Sequence, residues 1–315
     1  MDVVGIGESM ILFTPESMGL MRYARNFSSK VAGAETNTLI GLSRLGHSTG
    51  WISRVGKDEF GAALLAAVRG EGINVDLVSV DCEAPTGIYF KELVNEAVTR
   101  IYYYRKQSAA SRLSLDDLQE DYIRRAKYLY LTGITPALSE SCEKAVFKSI
   151  ELAKKNNVKI VFDPNLRRKL WDDAKARQTL LAIASQADIV LPGISEGQFL
   201  FHKDGYEDIA EGFLHLGAST VVVKLGEKGA YFSTRHKAGL VAGYHVKQVI
   251  DPVGAGDGFA AGFLSGLLNG LTIEEAVKRG NAVGAIVTTV NGDIEGLPDS
   301  DLLVSFMEQG EDVSR

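Results

Sequence analysis

The sequence predicts an α/β protein, a three-layer α/β/α sandwich with a small β-element projecting from its sheet. Three observations carry that expectation. Short apolar runs of strand length alternate with amphipathic runs of helical period along most of the chain. Glycine turns close the first of these runs and follow the one at 220–224, as turns at strand ends do. The alternation breaks in the first third, where two strand-like runs follow one another directly. With 315 residues, 45% of them hydrophobic and 23% charged, the chain has an ordinary globular composition and can bury a large core.

The elements follow in order. Residues 2–7 read as a buried strand ending in the Gly5-Ile-Gly7 turn. A helix over 34–45 stops at Gly46, and 48–55 is a strand followed by a helix over 59–68 with one apolar face. Later units alternate: strand 127–131, helix 140–155, strand 159–162, helix 174–185, strand 189–191. Helices over 196–201 and 209–216 lead to strand 220–224 and a hairpin-like stretch reaching about 249. Helices over 257–268 and 273–290 close the core. Such alternation implies parallel pairing with right-handed crossovers. Residues 86–94 and 98–105, separated by Asn95-Glu96, break it, and 12–31 has no helical period either. Together they form the projecting β-element. No repeat, low-complexity tract or linker interrupts the chain, so a single domain over 1–315 is expected.

Several function classes are disfavoured at once. A net charge of -6 and a pI near 5.5 argue against nucleic acid as partner. No basic signal-type start and no apolar run of spanning length is visible, and the chain opens on a strand, so no membrane partner and a cytoplasmic location are expected. Cys82 and Cys142 stand far apart with no companions, and His47, His202, His215, His236 and His245 are scattered. A metal, where needed, should be magnesium arriving with a nucleotide.

The most informative stretch is Asp251-Pro-Val-Gly-Ala-Gly-Asp257. Without Cβ atoms, Gly254 and Gly256 can turn their amides toward an anion, and the run that follows is helical. A glycine turn opening a helix N-terminus is a phosphate cradle. Asp257 at that terminus is either an N-cap or an acid facing the bound phosphate. An acid beside an anion hole suits phosphoryl transfer, where a carboxylate accepts a proton from the attacking hydroxyl.

This string resembles the signature of the ribokinase-like carbohydrate kinases, the pfkB family. The resemblance implies that Gly254, Ala255 and Gly256 form an anion hole and that Asp257 is the catalytic base, ionised near its reference pKa of roughly 3.9. It implies ATP and Mg2+ as cofactors and a β-lid over the sugar, drawn from about 12–31 and 86–105, that pairs two copies into a homo-oligomer. No Gly-x4-Gly-Lys-Ser/Thr string is present, so the nucleotide must be held by other turns. By resemblance these are Lys224-Leu-Gly-Glu-Lys-Gly229, with Lys224, Gly226, Lys228 and Gly229, and Asn281 beside the nucleotide. In Leu191-Pro-Gly-Ile-Ser-Glu196 the family motif keeps Glu196, a helix cap or a water-mediated magnesium ligand. Gly193 stands where Asn is usual, which shifts weight to Ser195.

On the acceptor side the family places its sugar motif at Ala32-Gly-Ala-Glu-Thr-Asn37, assigning Gly33, Ala34, Glu35, Thr36 and Asn37 to the substrate. Gly56-Lys-Asp-Glu-Phe-Gly61 matches a further family segment. In the lid, strand alternation puts Tyr103 and Arg105 on one face, Tyr102 and Tyr104 on the other, with Tyr89 on the preceding run. Asp163-Pro-Asn-Leu-Arg-Arg168 follows a strand at the carboxyl edge where α/β folds bind ligands. There Asn165 and Arg167 can serve the nucleotide, and Arg167 equally the acceptor. Two arginines in one small-molecule pocket suit a carboxylate, a pairing similar to that of family members acting on the six-carbon acid 2-keto-3-deoxygluconate. Asp293 is expected to hold a substrate hydroxyl. The alternatives are a neutral-sugar kinase and a non-catalytic sugar sensor.

Overall fold

The computed structural model describes residues 1–95 and 98–312. Its main sheet has nine strands. These are β1 (Val3–Ile6), β4 (Thr49–Gly56), β5 (Asn74–Asp81), β8 (Tyr128–Thr132), β9 (Lys159–Asp163), β10 (Ile189–Val190), β11 (Thr220–Lys224), β12 (Ala230–Thr234) and β13 (Ala238–Val241). They lie in the order β13-β12-β11-β10-β9-β8-β1-β4-β5. Pairing is parallel from β5 to β11 and antiparallel for β11–β12 and β12–β13. Helices on both faces explain why the central strands are continuous apolar runs rather than alternating ones: Val221, Val222 and Val223 are all buried.

The helices are α1 (Ala34–Arg44), α2 (Glu59–Gly70), α3 (Glu120–Ile123), α4 (Glu140–Lys155), α5 (Asp173–Ala184), α6 (Ile194–Phe201), α7 (Tyr206–Leu216), α8 (Ala255–Leu268), α9 (Ile273–Val287) and α10 (Ser300–Asp312). Their starts are written locally. Asp58 accepts from Gly61 N at the head of α2, Ser139 caps α4, and Thr272 with Glu275 forms a capping box on α9. One apolar cluster joins α1, α8 and α9 to one face of the sheet, and a second joins α4, α5 and α7 to the other.

The projecting element is a separate four-stranded sheet ordered β3-β2-β6-β7. Its strands are β2 (Met10–Pro15), β3 (Phe27–Ala32), β6 (Ile88–Asn95) and β7 (Val98–Tyr104). Met10, Leu12, Ala32 and Tyr89 pack on its inner side, while Phe13, Phe27, Phe90 and Tyr104 make a ladder of rings on the other. This sheet includes β2 from Met10 onward, slightly earlier than expected. Glu96, in the expected turn, lies outside the described residues. Strand β5 and helix α10 were not expected, α9 stops at Val287 instead of 290, and the hairpin ends at Val241 instead of near 249. Among the described residues no helix is long and apolar enough to cross a membrane.

Candidate active site

A cleft of about 980 Å³ lies between the β-lid and the carboxyl edge of the main sheet. The N-terminus of α8 opens into it. Gly254 holds φ at +81°, and a Cβ there would come within 2.9 Å of the Asp293 carbonyl, so only glycine fits without strain. A Cβ at Gly256 would meet only Lys224 Nζ, at 3.6 Å, so this second glycine leaves open the path between that ammonium and the helix end. The first bond within α8 runs from Gly258 N to Gly254 O at 2.8 Å. The amides of Ala255, Gly256 and Asp257 are therefore first-turn donors of the kind that bind anions. Ala255 itself does not line the cleft, and its amide makes a long 3.4 Å bond to Pro252 O.

Asp257 is buried at the base of the cleft. Asn37 Nδ2 donates to its Oδ2 at 2.8 Å, and Thr38 Oγ1 donates to its backbone carbonyl at 3.2 Å. These two bonds tie α1 to α8, so the glycine turn at Gly33 and the turn at Gly254 converge. Burial pushes the Asp257 carboxyl from its ordinary 3.8 to about 7, with Asp163 and Asp293 adding to the rise while Asn37 and Arg167 oppose it. This corrects the expectation of an unperturbed acid: the interior makes it a stronger base. Asp293 likewise rises to about 6, mainly by burial, with Lys91 opposing.

Opposite α8 stands Lys224, at the end of β11. Its Nζ donates to Asp163 Oδ2 at 2.5 Å. Burial lowers its pKa, but Asp163 and Glu196 more than offset that and hold it above the usual lysine value. The lysine is a fixed cation facing the helix N-terminus, and an anion between them would satisfy both. Asn165, at φ +36°, donates its amide to Asp163 Oδ1 at 3.2 Å. Ser195 and Arg167 are exposed on the same wall. Glu196 accepts from Gly193 N at 2.7 Å and Leu166 N at 2.8 Å, so the capping reading describes what it does here. With Asp163 taken by Lys224 and Glu196 by amides, a magnesium ion would be held largely by phosphate oxygens and water, as its chemistry prefers.

The lid forms the other wall. Tyr89 and Tyr103 face each other across the β6–β7 pair with ring centroids 5.4 Å apart, and Tyr89 OH lies 3.5 Å from Asp293 Oδ2. The Arg105 guanidinium lies 5.5 Å from the Tyr103 ring centre, so the expected sharing of a face holds. Sequence reading missed its partner: Glu8, just after β1, forms an ion pair with Arg105, Oε2 to Nη2 at 2.5 Å, and its Oε1 accepts from Ser108 Oγ at 2.5 Å. Both partners are buried, and Arg105 Nε has no hydrogen-bond partner. An acid directly after a glycine turn at a strand's carboxyl end was the available signal.

Gly33, Ala34, Asn37, Tyr89, Tyr103, Arg105, Asn165, Arg167, Ser195, Glu196, Lys224, Gly254, Gly256, Asp257 and Asp293 thus share one cleft. Other expected residues do not line it. Glu35 points beneath it, its Oε1 accepting from Thr132 and Thr135 at 2.7 Å each, and its carboxyl fills the space a side chain on Gly7 would need. Burial raises its pKa, and the two hydroxyls make it a packing residue. Thr36 Oγ1 bonds Gly33 O and Ser9, fixing the glycine turn from behind. Gly226, Lys228 and Gly229 form a separate turn beside the end of β13, where Gly229 has φ +96° and a Cβ would strike Val241 O. Asn281 Nδ2 donates to Val241 O and Ala242 O, both at 3.1 Å, so its amide group is committed to tying α9 to that strand.

Comparison with known proteins matches this arrangement. The family described as pfkB family carbohydrate kinase matches residues 1–300. The chain is 42% identical over 309 residues to the 2-dehydro-3-deoxygluconokinase of Bacillus subtilis (strain 168), covering 98% of this chain and 95% of that protein. It is 36% identical over 301 residues to the Thermoproteus tenax 2-dehydro-3-deoxygluconokinase, covering 94% and 91%. Among solved structures, a putative ribokinase II from E. coli in complex with ATP and Mg2+ aligns with a TM-score of 0.90 at 26% identity, over 98% of this chain and 99% of that one. The sandwich is therefore ribokinase-like, and with a glycine-opened helix, a buried acid at its head and a β-lid across the cleft, the chain belongs to the pfkB family of carbohydrate kinases.

Proposed function

We propose that this protein transfers the γ-phosphoryl group of ATP to the terminal hydroxyl of 2-keto-3-deoxygluconate (2-dehydro-3-deoxygluconate), with Mg2+ accompanying the nucleotide. The observation that carries the reading is one cleft holding a buried carboxylate of raised basicity together with, among the described residues, four lining arginines, including the buried Arg105 and, beside the glycine turn's wall, Arg167. The relatives above, by name, act on that acid. The acceptor lies under the lid, its carboxylate toward Arg105 and its hydroxyls toward Tyr89, Asn37 and Asp293. Asp257 takes the proton of the terminal hydroxyl as that oxygen bonds to the γ-phosphorus and the bond to the β-phosphate oxygen breaks, its electron pair leaving with ADP. The first-turn amides of α8 and Lys224 receive the developing negative charge. Magnesium, when bound, neutralises charge on the phosphate oxygens. Arg167, exposed on the nucleotide wall, serves either the acid or the phosphates. A cytoplasmic location fits the use of ATP.

The second reading is a neutral-sugar kinase, and one observation favours it: Glu8 already neutralises Arg105. An ADP-release assay across 2-keto-3-deoxygluconate, fructose, ribose and nucleosides separates the two. The proposal expects the keto acid to give the highest kcat/KM, and a neutral sugar in first place would replace it. We further propose that the lid pairs with a second copy, because Met18, Tyr23 and Tyr104 on or beside it are strongly exposed.

A further inference from the structure

Lys91 and Asp251 form a buried ion pair that joins the lid to the turn before α8. Lys91 lies two residues beyond Tyr89 on β6, so both point from the same face of that strand. Asp251 begins the glycine turn. Its Oδ1 accepts from Val253 N at 3.1 Å, and the amides of Ile250 and Asp251 donate to Thr288 O at 2.8 and 3.2 Å. The turn is thereby fixed to the loop after α9, whose Asp293 carbonyl abuts Gly254. The lid grips that loop too: Tyr89 OH reaches Asp293, and Lys30 Nζ on β3 donates to Asn291 O at 2.7 Å.

An interior ion pair is a poor source of stability, since apolar residues of similar volume often serve as well. Its use here is geometric. The lid carries the acceptor-facing tyrosines, and the turn carries the amides that receive the phosphate. Lys91 is the one charged contact running directly from lid strand β6 to the glycine turn itself among the described residues. We propose that Lys91 is a positioning residue that couples acceptor binding under the lid to the placement of the α8 N-terminus, so that acceptor and nucleotide bind synergistically. This requires only a carbohydrate kinase, whatever its acceptor.

The test is titration calorimetry of the β,γ-imido analogue of ATP, with and without saturating acceptor. The acceptor is 2-keto-3-deoxygluconate or fructose, whichever the unmodified protein phosphorylates. Fructose alone reacting would overturn the proposed substrate yet leave this test intact. The unmodified protein is expected to bind the analogue about 5- to 150-fold more tightly with acceptor present, the usual range of such couplings. Lys91→Met should bring that ratio to about 1 and lower kcat about 10- to 100-fold, as misplacement of catalytic groups does, with acceptor affinity in the absence of nucleotide little changed. The double variant Lys91→Met/Asp251→Asn leaves no unpaired ion, so it should regain the melting temperature lost by the single variant but neither synergy nor kcat. Should the single variant not fold, the double variant carries the test alone. Absent synergy in the unmodified protein, unchanged synergy in either variant, or recovery of kcat together with melting temperature would each overturn the proposal.

Discussion

Replacing Asp257 by Asn removes a proton acceptor and almost no volume. The Asn37 amide, 2.8 Å from Oδ2, can donate equally to an amide oxygen, so the α1–α8 tie survives. Loss of a positioned base is expected to lower kcat by about 100- to 10,000-fold. Stability should move the opposite way. The native carboxyl keeps its proton up to about pH 7, whereas the unfolded chain releases it near 3.8. Between those values the native state binds more protons, so stability falls as pH rises through the window and levels off above it. The displacement amounts to at most about 4 kcal/mol at pH 8. The Asn variant has no such window, so without ligand it should melt above the unmodified protein at pH 8, with the gap closing toward pH 4. A coupled ADP-release assay and calorimetric scans at both pH values measure the two effects. In the unmodified enzyme kcat/KM should fall about tenfold per pH unit below about 7. Turnover within tenfold of normal, or a variant less stable than the unmodified protein at pH 8, would refute the base assignment.

Further expectations concern the turns, α1 and the lid. Gly256→Val should fold, since its Cβ meets nothing closer than 3.6 Å, but abolish transfer by filling the space before Lys224. Gly254→Ala, at φ +81° and against the Asp293 carbonyl, should lose activity and melt several degrees lower, and both are read by activity assay and thermal melting. Glu35→Gln should keep acceptor KM within about twofold, because an amide oxygen still accepts from Thr132 and Thr135; a large rise in KM would return Glu35 to the binding site. Light scattering at micromolar concentration should find a homo-oligomer, and Tyr104→Lys in the exposed lid ladder should shift it toward monomer without loss of fold.

Legibility in the sequence followed the source of each residue's constraint. The strands β9 and β11 and the helix α4 were readable because a parallel sheet covered on both faces demands unbroken apolar runs, and helix caps are local. The half-exposed edge strand β5 lacked an unbroken apolar run, and α10 was passed over although Asp299 caps its start, accepting from Leu302 N at 2.9 Å. The turn at Gly254 was visible because backbone geometry restricts it to glycine. Pairings between distant residues were not visible. Glu8 with Arg105 and Lys91 with Asp251 join positions far apart in sequence, and only the lid's folding over the cleft brings them together. The same distance explains why the hydrogen-bond partners of Glu35 and Asn281 were not foreseen. Each lies in a segment that reaches the cleft or the glycine turn at 226–229, but helix rotation and strand neighbours aim its side chain at packing partners. The altered basicity of Asp257 is likewise a product of burial and of Asp163 and Asp293, not of its motif.

The central claim, that an arginine in this cleft reads the carboxylate of a sugar acid, is met most directly by a ratio of two substrates. Arg105→Leu is best combined with Glu8→Gln, so that no buried carboxylate is left without its partner. The measurement is kcat/KM for 2-keto-3-deoxygluconate divided by kcat/KM for fructose, in the unmodified protein and in this variant. The ratio should strongly favour the acid at first, then drop by about tens- to thousands-fold in the variant, the usual loss when one partner of a buried charged pair is removed. The fructose reaction and the affinity for ATP alone should stay nearly constant. A ratio favouring fructose in the unmodified protein, or one that the variant leaves unchanged, would contradict the claim.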